Sequence, residues 1–170
     1  MLFRSTQLEN LGSSTITAPT RAKFGSGISI AESDTTKLSQ IYSEKSLNVR
    51  IKFPQGWTFL DQDVRNKLDG VTFYYPVSSG IPPSVHFEVA EKFKFNPTRF
   101  TQKIEMNGFV AHFNDPTEME NHVSQTIYLR TETEEDYIVK LNTIGWESFN
   151  AYQPIFFGMI RTFRFGWKIF

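Results

Sequence analysis

Short runs in which apolar and polar residues alternate constrain this chain more than any other feature. In the segment LNVRIKF, polar residues alternate with the apolar residues Leu47, Val49, Ile51 and Phe53. Successive side chains of a β-strand point to opposite faces, so this pattern predicts a strand with one buried face. The segments GVTFYYPV, from residue 70, and PSVHFEVAEK, from residue 83, are rich in β-branched and aromatic residues and predict a β-hairpin.

The first strand ends at a corner, FPQGW, that spans residues 53–57. Pro54 cannot donate a ladder hydrogen bond, and Gly56 is free to adopt a positive φ, so the chain is predicted to turn sharply here. The large ring system of Trp57 then predicts a position that closes one end of the core; a Trp57 that faces a ligand is the alternative. Residues 61–70, DQDVRNKLDG, predict a single helical turn.

Residues 96–108, NPTRFTQKIEMNG, carry the signals of a helix. Asn96 is a capping residue, Pro97 follows at a position that needs no N–H donor, and two apolar residues lie four apart. We therefore predict a helix over this segment. The following GFVAHFND predicts a strand, and residues 122–145 predict a hairpin around an acidic turn.

The end of the chain predicts the main packing helix. In ESFNAYQPIFFGMIRTFRF, apolar residues recur at helical spacing, which predicts a helix over residues 150–163 with Pro154 in its first turn. The predicted order is strands, a helix, three more strands and a terminal helix. Sequential strands joined by short turns pair antiparallel, and apolar helices must cover the sheet. The sequence thus predicts an α+β fold with an antiparallel sheet of five to seven strands covered by helices.

Composition excludes several classes of function. The chain has 18 basic and 18 acidic residues, and this balance argues against a general nucleic-acid binder. It contains no Cys, which excludes disulfides, thiolate nucleophiles and cysteine zinc sites. No stretch reaches the roughly 20 apolar residues of a membrane-spanning helix, so we predict no transmembrane segment.

The chain also lacks the motifs of common active sites. No Gly-x-Ser-x-Gly elbow and no phosphate-binding glycine loop is present. His86, His112 and His122 fall on separate predicted strands, and their spacing does not match that of a metal site; with Glu88 they could still imitate one. We predict ordinary surface or half-buried histidines, no metal, no cofactor and no enzymatic activity.

Residues 1–27 differ from the rest of the sequence. They are rich in Ser, Thr and Gly and show no sustained period, which predicts an extended amino-terminal arm or linker. Residues 28–170 are predicted to form a single domain. Its core or contact surface must be unusually aromatic, because 17 Phe, 6 Tyr and 3 Trp make up 15% of the chain.

Five segments, taken in order, resemble the PsbP-like superfamily. They are the strand ending in FPQGW, the aromatic strand GVTFYYP, NPTRFTQKIEM before NGFVAHF, the hairpin closing on DYIVKLNT, and the terminal PIFFGMIRTFRF. The superfamily includes the extrinsic subunit of the oxygen-evolving complex of the photosystem, bacterial lipoprotein-like relatives and a Ran-binding nuclear import factor. The resemblance implies an α/β/α sandwich, and it implies an extracytoplasmic, lumenal or periplasmic location.

Two charged segments are candidate partner contacts. An acidic run lies at the predicted hairpin tip, and cations alternate with aromatic residues at the end of the chain; the candidates are Glu132, Glu134, Glu135, Asp136, Arg161, Arg164, Trp167, Lys168 and Phe170. A solvated turn and a terminal strand with a polar face would explain the same residues without a partner. The acidic run could also bind a divalent ion weakly.

Two functions remain open. The first is a non-catalytic accessory or assembly subunit that docks on a larger, membrane-associated protein complex. The resemblance favours it, because members of the superfamily act mostly as assembly or binding proteins without a shared active site. The second is a small-molecule or lipid-binding protein with an aromatic pocket between the sheet and the terminal helix.

Overall fold

Two antiparallel β-sheets and one long α-helix make up the described part of the chain. The computed structural model describes residues 33–45, 48–61, 70–91, 95–106 and 108–166. The strands and the helix are β1 (Leu38–Glu44), β2 (Val49–Pro54), β3 (Thr58–Asp61), β4 (Val71–Tyr74), β5 (Ser84–Val89), β6 (Gln102–Met106), β7 (Phe109–Phe113), β8 (Thr117–Met119), β9 (His122–Thr131), β10 (Asp136–Ile144), α1 (Gly145–Arg161) and β11 (Arg164–Phe165). The predicted α+β class is confirmed.

The strands divide unequally between the two sheets. The smaller sheet has the order β1-β2-β11, and the larger has the order β3-β4-β5-β10-β9-β7-β6, with β8 paired to β9 beside this path. The larger sheet therefore has eight strands, compared with the expected five to seven, and the second sheet was not expected. The predicted hairpins β4–β5 and β9–β10 are present with antiparallel registers.

The core lies between the inner face of the larger sheet on one side and α1 with the smaller sheet on the other. Phe53 of β2 meets Phe73 of β4 at a ring-centroid distance of 5.0 Å, and Phe113 of β7 meets Phe157 of α1 at 5.5 Å. Trp57 is 6% exposed and packs edge-to-face on Tyr152 at 5.8 Å. The predicted core position of Trp57 is confirmed.

The predicted helix over residues 96–108 is wrong. Asn96 does cap a turn, since its side chain accepts a hydrogen bond from the Thr98 N–H at 3.1 Å, but the turn is a 3₁₀ helix of three residues, Pro97–Arg99. The chain is extended again at Phe100 and continues as β6. Apolar residues four apart also share one face of a strand, so that spacing could not tell the two structures apart.

The terminal helix is present, but it begins earlier than predicted. Gly145, with φ of 78°, turns the chain directly from β10 into α1, so Pro154 lies in the helix interior rather than in the first turn. Proline there removes one helical hydrogen bond. The carbonyl of Pro154 accepts a hydrogen bond from the Asp34 N–H at 2.8 Å, which fixes the segment before β1 across the helix.

Other predictions fall on residues outside the described ranges. These are the arm at residues 1–27, most of the turn predicted at 61–70, and the tail residues Trp167, Lys168 and Phe170. In the part of the chain that the structure describes, α1 is the one α-helix.

Candidate functional site

A basic cleft lies on the outer face of the smaller sheet, beside the carboxyl end of α1. It has a volume of about 500 Å³. Four cationic side chains line it: Arg50, Lys52, Arg161 and Arg164. Arg161 and Arg164 were candidates from the sequence, and the structure brings them together with two residues that were not.

The alternation of β2 places two of the cations in the cleft. Val49 and Ile51 are buried, while Arg50 and Lys52 are exposed on the opposite face. Arg164 of β11 lies directly across from Arg50 in the antiparallel register. Like charges at directly opposed positions of a sheet repel each other, so this pair costs stability.

The end of α1 completes the cleft and is tied to β2. The Thr162 hydroxyl accepts a hydrogen bond from the Lys52 N–H at 2.9 Å and donates one to the Met159 carbonyl at 2.6 Å. Arg164 Nη1 donates to the Arg161 carbonyl at 3.1 Å, where the helix dipole favours a cation. The Thr162 hydroxyl thus ties the end of α1 to β2, and the Arg164 guanidinium adds a charge-assisted hydrogen bond to the last turn of the helix.

None of the four cations has an acidic partner within 4.0 Å among the described residues. The ion pairs found there join other side chains: His86–Glu88, Lys103–Glu105 and Arg130–Asp136. Arg161 Nη1 donates to the Ser33 hydroxyl at 3.1 Å, and Arg164 to backbone carbonyls. The cleft therefore presents positive charge that no acidic side chain of the described residues neutralises, although the whole chain has a formal net charge of zero.

Apolar side chains line the other part of the cleft. Ile41 of β1 lies opposite Lys52 and is 61% exposed, and Leu38 lies opposite Pro54. An exposed isoleucine beside guanidinium and ammonium groups suits a ligand that has both charge and apolar surface.

The acidic run does lie at a hairpin tip, as predicted, but its members are not equivalent. Asp136 forms two hydrogen bonds with Arg130, at 2.8 and 3.0 Å, and its side chain is only 9% exposed. Glu135 accepts a hydrogen bond from the Tyr137 hydroxyl at 3.1 Å. Glu132 and Glu134 are exposed at the tip. The run does not line the basic cleft, and Asp136 serves to hold Arg130.

The three histidines lie on separate strands, as predicted. His86 bridges two side chains, with Nδ1 2.9 Å from the Thr72 hydroxyl and Nε2 2.8 Å from Glu88. Burial lowers the pKa of His112, helped by the charges of Lys103 and Arg130. Within the described ranges, no group of three or more His, Asp or Glu side chains could hold a metal ion.

Aromatic side chains fill the space between α1 and the larger sheet. Phe156, Phe157, Met159 and Ile160 are at most 1% exposed. Phe163, just after the helix, meets Phe87 at 5.0 Å. The aromatic residues that suggested a ligand pocket are packed against one another as a core.

Arg50 and Lys52 are the residues of the candidate site that sequence reasoning missed. The sequence did contain a signal for them, because the two polar residues that alternate with Val49, Ile51 and Phe53 are both cationic. What the sequence lacked was the pairing of β2 with β11, which brings residue 164 beside residue 50. The candidates Trp167, Lys168 and Phe170 lie outside the described residues.

No protein-family model matches the chain, and no curated protein matches it. Among solved structures, a protein from Bacteroides thetaiotaomicron is similar with a TM-score of 0.49 and 10% identity; the match covers 77% of this chain but only 50% of that one. The Ran-binding protein Mog1p of Saccharomyces cerevisiae has a TM-score of 0.48 and 8% identity, with 75% of this chain and 96% of Mog1p covered.

Cyanobacterial PsbP (CyanoP) from Synechocystis is similar with a TM-score of 0.40 and 14% identity, over 76% of this chain and 94% of that one. A PsbP and a Ran-binding protein are thus among the similar structures. At these identities the likeness concerns the fold alone. No helix in the described segments is long and apolar enough to cross a membrane.

Proposed function

We propose that this protein is a non-catalytic accessory or assembly subunit that docks on a larger protein complex through its basic cleft. One observation carries the proposal: four cations line one concave site, and none has an acidic partner within the described part of the chain. Unpaired charge at a surface guides association with a partner of opposite charge. The proposed partner surface is acidic.

We also propose that this complex is associated with a membrane. The resemblance to the PsbP-like superfamily supports a membrane-associated assembly. The arm at residues 1–27 and the tail at residues 166–170 are proposed to add contacts with it. A polar, aperiodic arm buries too little apolar area to offset its own ordering entropy, so it needs another surface to receive it.

The test compares two double variants with the same change in net charge. In the cleft variant, Arg50 and Arg164 are replaced by Gln; in the control variant, Arg99 and Lys103, which are exposed elsewhere, are replaced by Gln. Each full-length chain is expressed with an affinity tag in its source organism and isolated from detergent-solubilised membranes. Native mass spectrometry then shows what co-purifies with it.

We expect the wild-type chain and the control variant to co-purify with the same assembly and the cleft variant to lose it. Equal retention by both variants would contradict the proposal, because the cleft would then not be the docking site. A bound mass of a few hundred daltons in place of a protein assembly would instead favour the small-molecule or lipid-binding alternative.

A further inference from the structure

We infer that the cleft binds an extended acidic peptide with the pattern acid-x-acid-x-apolar. This inference rests on the proposed docking function, and it names the chemistry of the segment that the partner supplies. It is drawn from the order in which charged and apolar side chains follow one another along β2 and its two neighbouring strands.

The first step is the spacing of the cations. Arg50 and Lys52 are two residues apart on one face of β2. A strand rises about 3.3–3.4 Å per residue, so their attachment points lie about 6.7 Å apart. Alternate side chains of any extended peptide have the same spacing. A peptide laid along β2 can therefore place one carboxylate at each cation.

The second step is the direction of the cleft. At one end, Arg50 and Arg164 face each other across the sheet, and two guanidinium groups there can share one carboxylate through charge-assisted hydrogen bonds. In the next position, Lys52 lies opposite Ile41, which supplies most of the exposed apolar surface; beyond it, Leu38, which lines the cleft with only 7% of its surface exposed, lies opposite the buried Pro54. Charge thus gives way to apolar surface in one direction along β2.

The third step compares a peptide with the other anionic ligands that these cations could bind. A free phosphate or a lipid headgroup would meet the positive charge but would leave the exposed Ile41 without an apolar counterpart. A nucleic acid is disfavoured because the whole chain has no net positive charge. A peptide with two carboxylates followed by an apolar side chain matches both parts.

The experiment measures fluorescence anisotropy at low ionic strength with three labelled peptides. The matching probe is Gly-Glu-Ser-Glu-Ser-Leu-Gly. The register control, Gly-Ser-Glu-Glu-Ser-Leu-Gly, has the same composition, but its adjacent carboxylates point to opposite sides of an extended chain. In the third peptide, Ser replaces Leu. Inorganic phosphate and vesicles of phosphatidylglycerol with phosphatidylcholine test the other sources of negative charge.

We expect the matching peptide to bind at least about tenfold more tightly than the register control, because the control loses one charge-assisted contact. The Arg50→Gln/Arg164→Gln variant should lose binding, and Ile41→Ser should weaken binding of the matching peptide but not of the peptide in which Ser replaces Leu. The Arg99→Gln/Lys103→Gln control should bind like the wild type. Equal affinity for the matching and register peptides would overturn the inference, as would binding of the vesicles without binding of the peptides.

The result separates this inference from the proposed function. If no peptide binds while the cleft variant still loses its native assembly, the cleft docks a different kind of surface and only the peptide pattern is refuted. If the matching peptide binds as expected while the cleft variant keeps its assembly, the chemistry of the cleft is supported and the docking proposal fails.

Discussion

Replacing Gly158 with alanine should destabilise this protein, although the same change stabilises most helix interiors. Gly158 lies in α1 where the segment before β1 crosses the helix. A Cβ atom built on it would lie 2.0 Å from the carbonyl oxygen of Asp34 and 2.7 Å from its carbonyl carbon. Both atoms belong to the backbone, so the contact cannot be relieved by rotation of a side chain.

The magnitude follows from three terms. Alanine is favoured over glycine in a helix interior by about 0.8–1 kcal/mol. Against this, forcing an extra methyl group into packed structure costs about 1–3 kcal/mol. Displacing the segment also lengthens the hydrogen bond from the Asp34 N–H to the Pro154 carbonyl, now 2.8 Å, which is worth about 0.5–1.5 kcal/mol. We therefore expect Gly158→Ala to lower the free energy of unfolding by about 0.5–4 kcal/mol.

Urea unfolding followed by circular dichroism measures this change, and Ala151→Gly in the same helix is the matched control. Ala151 is exposed, so its replacement should cost only the propensity difference of about 1 kcal/mol. The two opposite substitutions should thus both destabilise. If Gly158→Ala instead raised the free energy of unfolding by about 1 kcal/mol, the segment at Asp34 would not lie against the helix and the reasoning would be refuted.

Three further predictions test the core, the cleft and the pH dependence of stability. Phe156→Ala should cost about 3–5 kcal/mol, because the ring is 0% exposed; a loss within about 0.5 kcal/mol in urea unfolding would mean that α1 faces outward. Arg50→Thr should raise the free energy of unfolding by about 0.2–1 kcal/mol, since it removes the repulsion by Arg164, and this gain should shrink in high salt; a loss of stability would contradict the pairing. The pKa of His112 is lowered in the folded state from its ordinary 6.5, so the unfolded chain binds more protons below that pH. The free energy of unfolding should therefore be undiminished above pH 6.5 and fall as the pH drops below it. Urea titrations across this pH range should show a smaller fall in the free energy of unfolding for His112→Gln than for the wild type. An equal pH dependence in the two proteins would refute the lowered pKa of His112.

The strands could be predicted from the sequence because their signal is local. Where one face is buried, as in β2 and β5, the alternation of single residues identifies the strand and its inward side. The same logic failed over residues 96–108, where Asn96 and Pro97 correctly signalled a turn but could not say how long it would last. The turn ends there because β6 pairs with β7 in a hairpin over residues 102–113, so the deciding partner strand follows directly after the segment that gave the helical pattern.

The candidate site could be predicted only in part, for a related reason. Arg161 and Arg164 stood out because they alternate with aromatic residues near the end of the chain. Arg50 and Lys52, more than a hundred positions earlier, looked like the ordinary polar face of a strand. Only the antiparallel register between β2 and β11 makes the two sets one site, and a register between distant strands is not encoded in the local pattern.

The position of the cleft explains how the fold tolerates it. Repulsion between Arg50 and Arg164 opposes the pairing of β2 with β11, which is only two residues long. Apolar burial on the opposite face of the same strands offsets this repulsion. Ile51 and Phe53 are buried in the core there, and Phe165 stacks on Tyr137 at a ring-centroid distance of 4.8 Å. Bound carboxylates would replace the repulsion with attraction, and the free energy of binding would add to that of folding. The cleft is therefore the place where an acidic partner would stabilise this fold most directly.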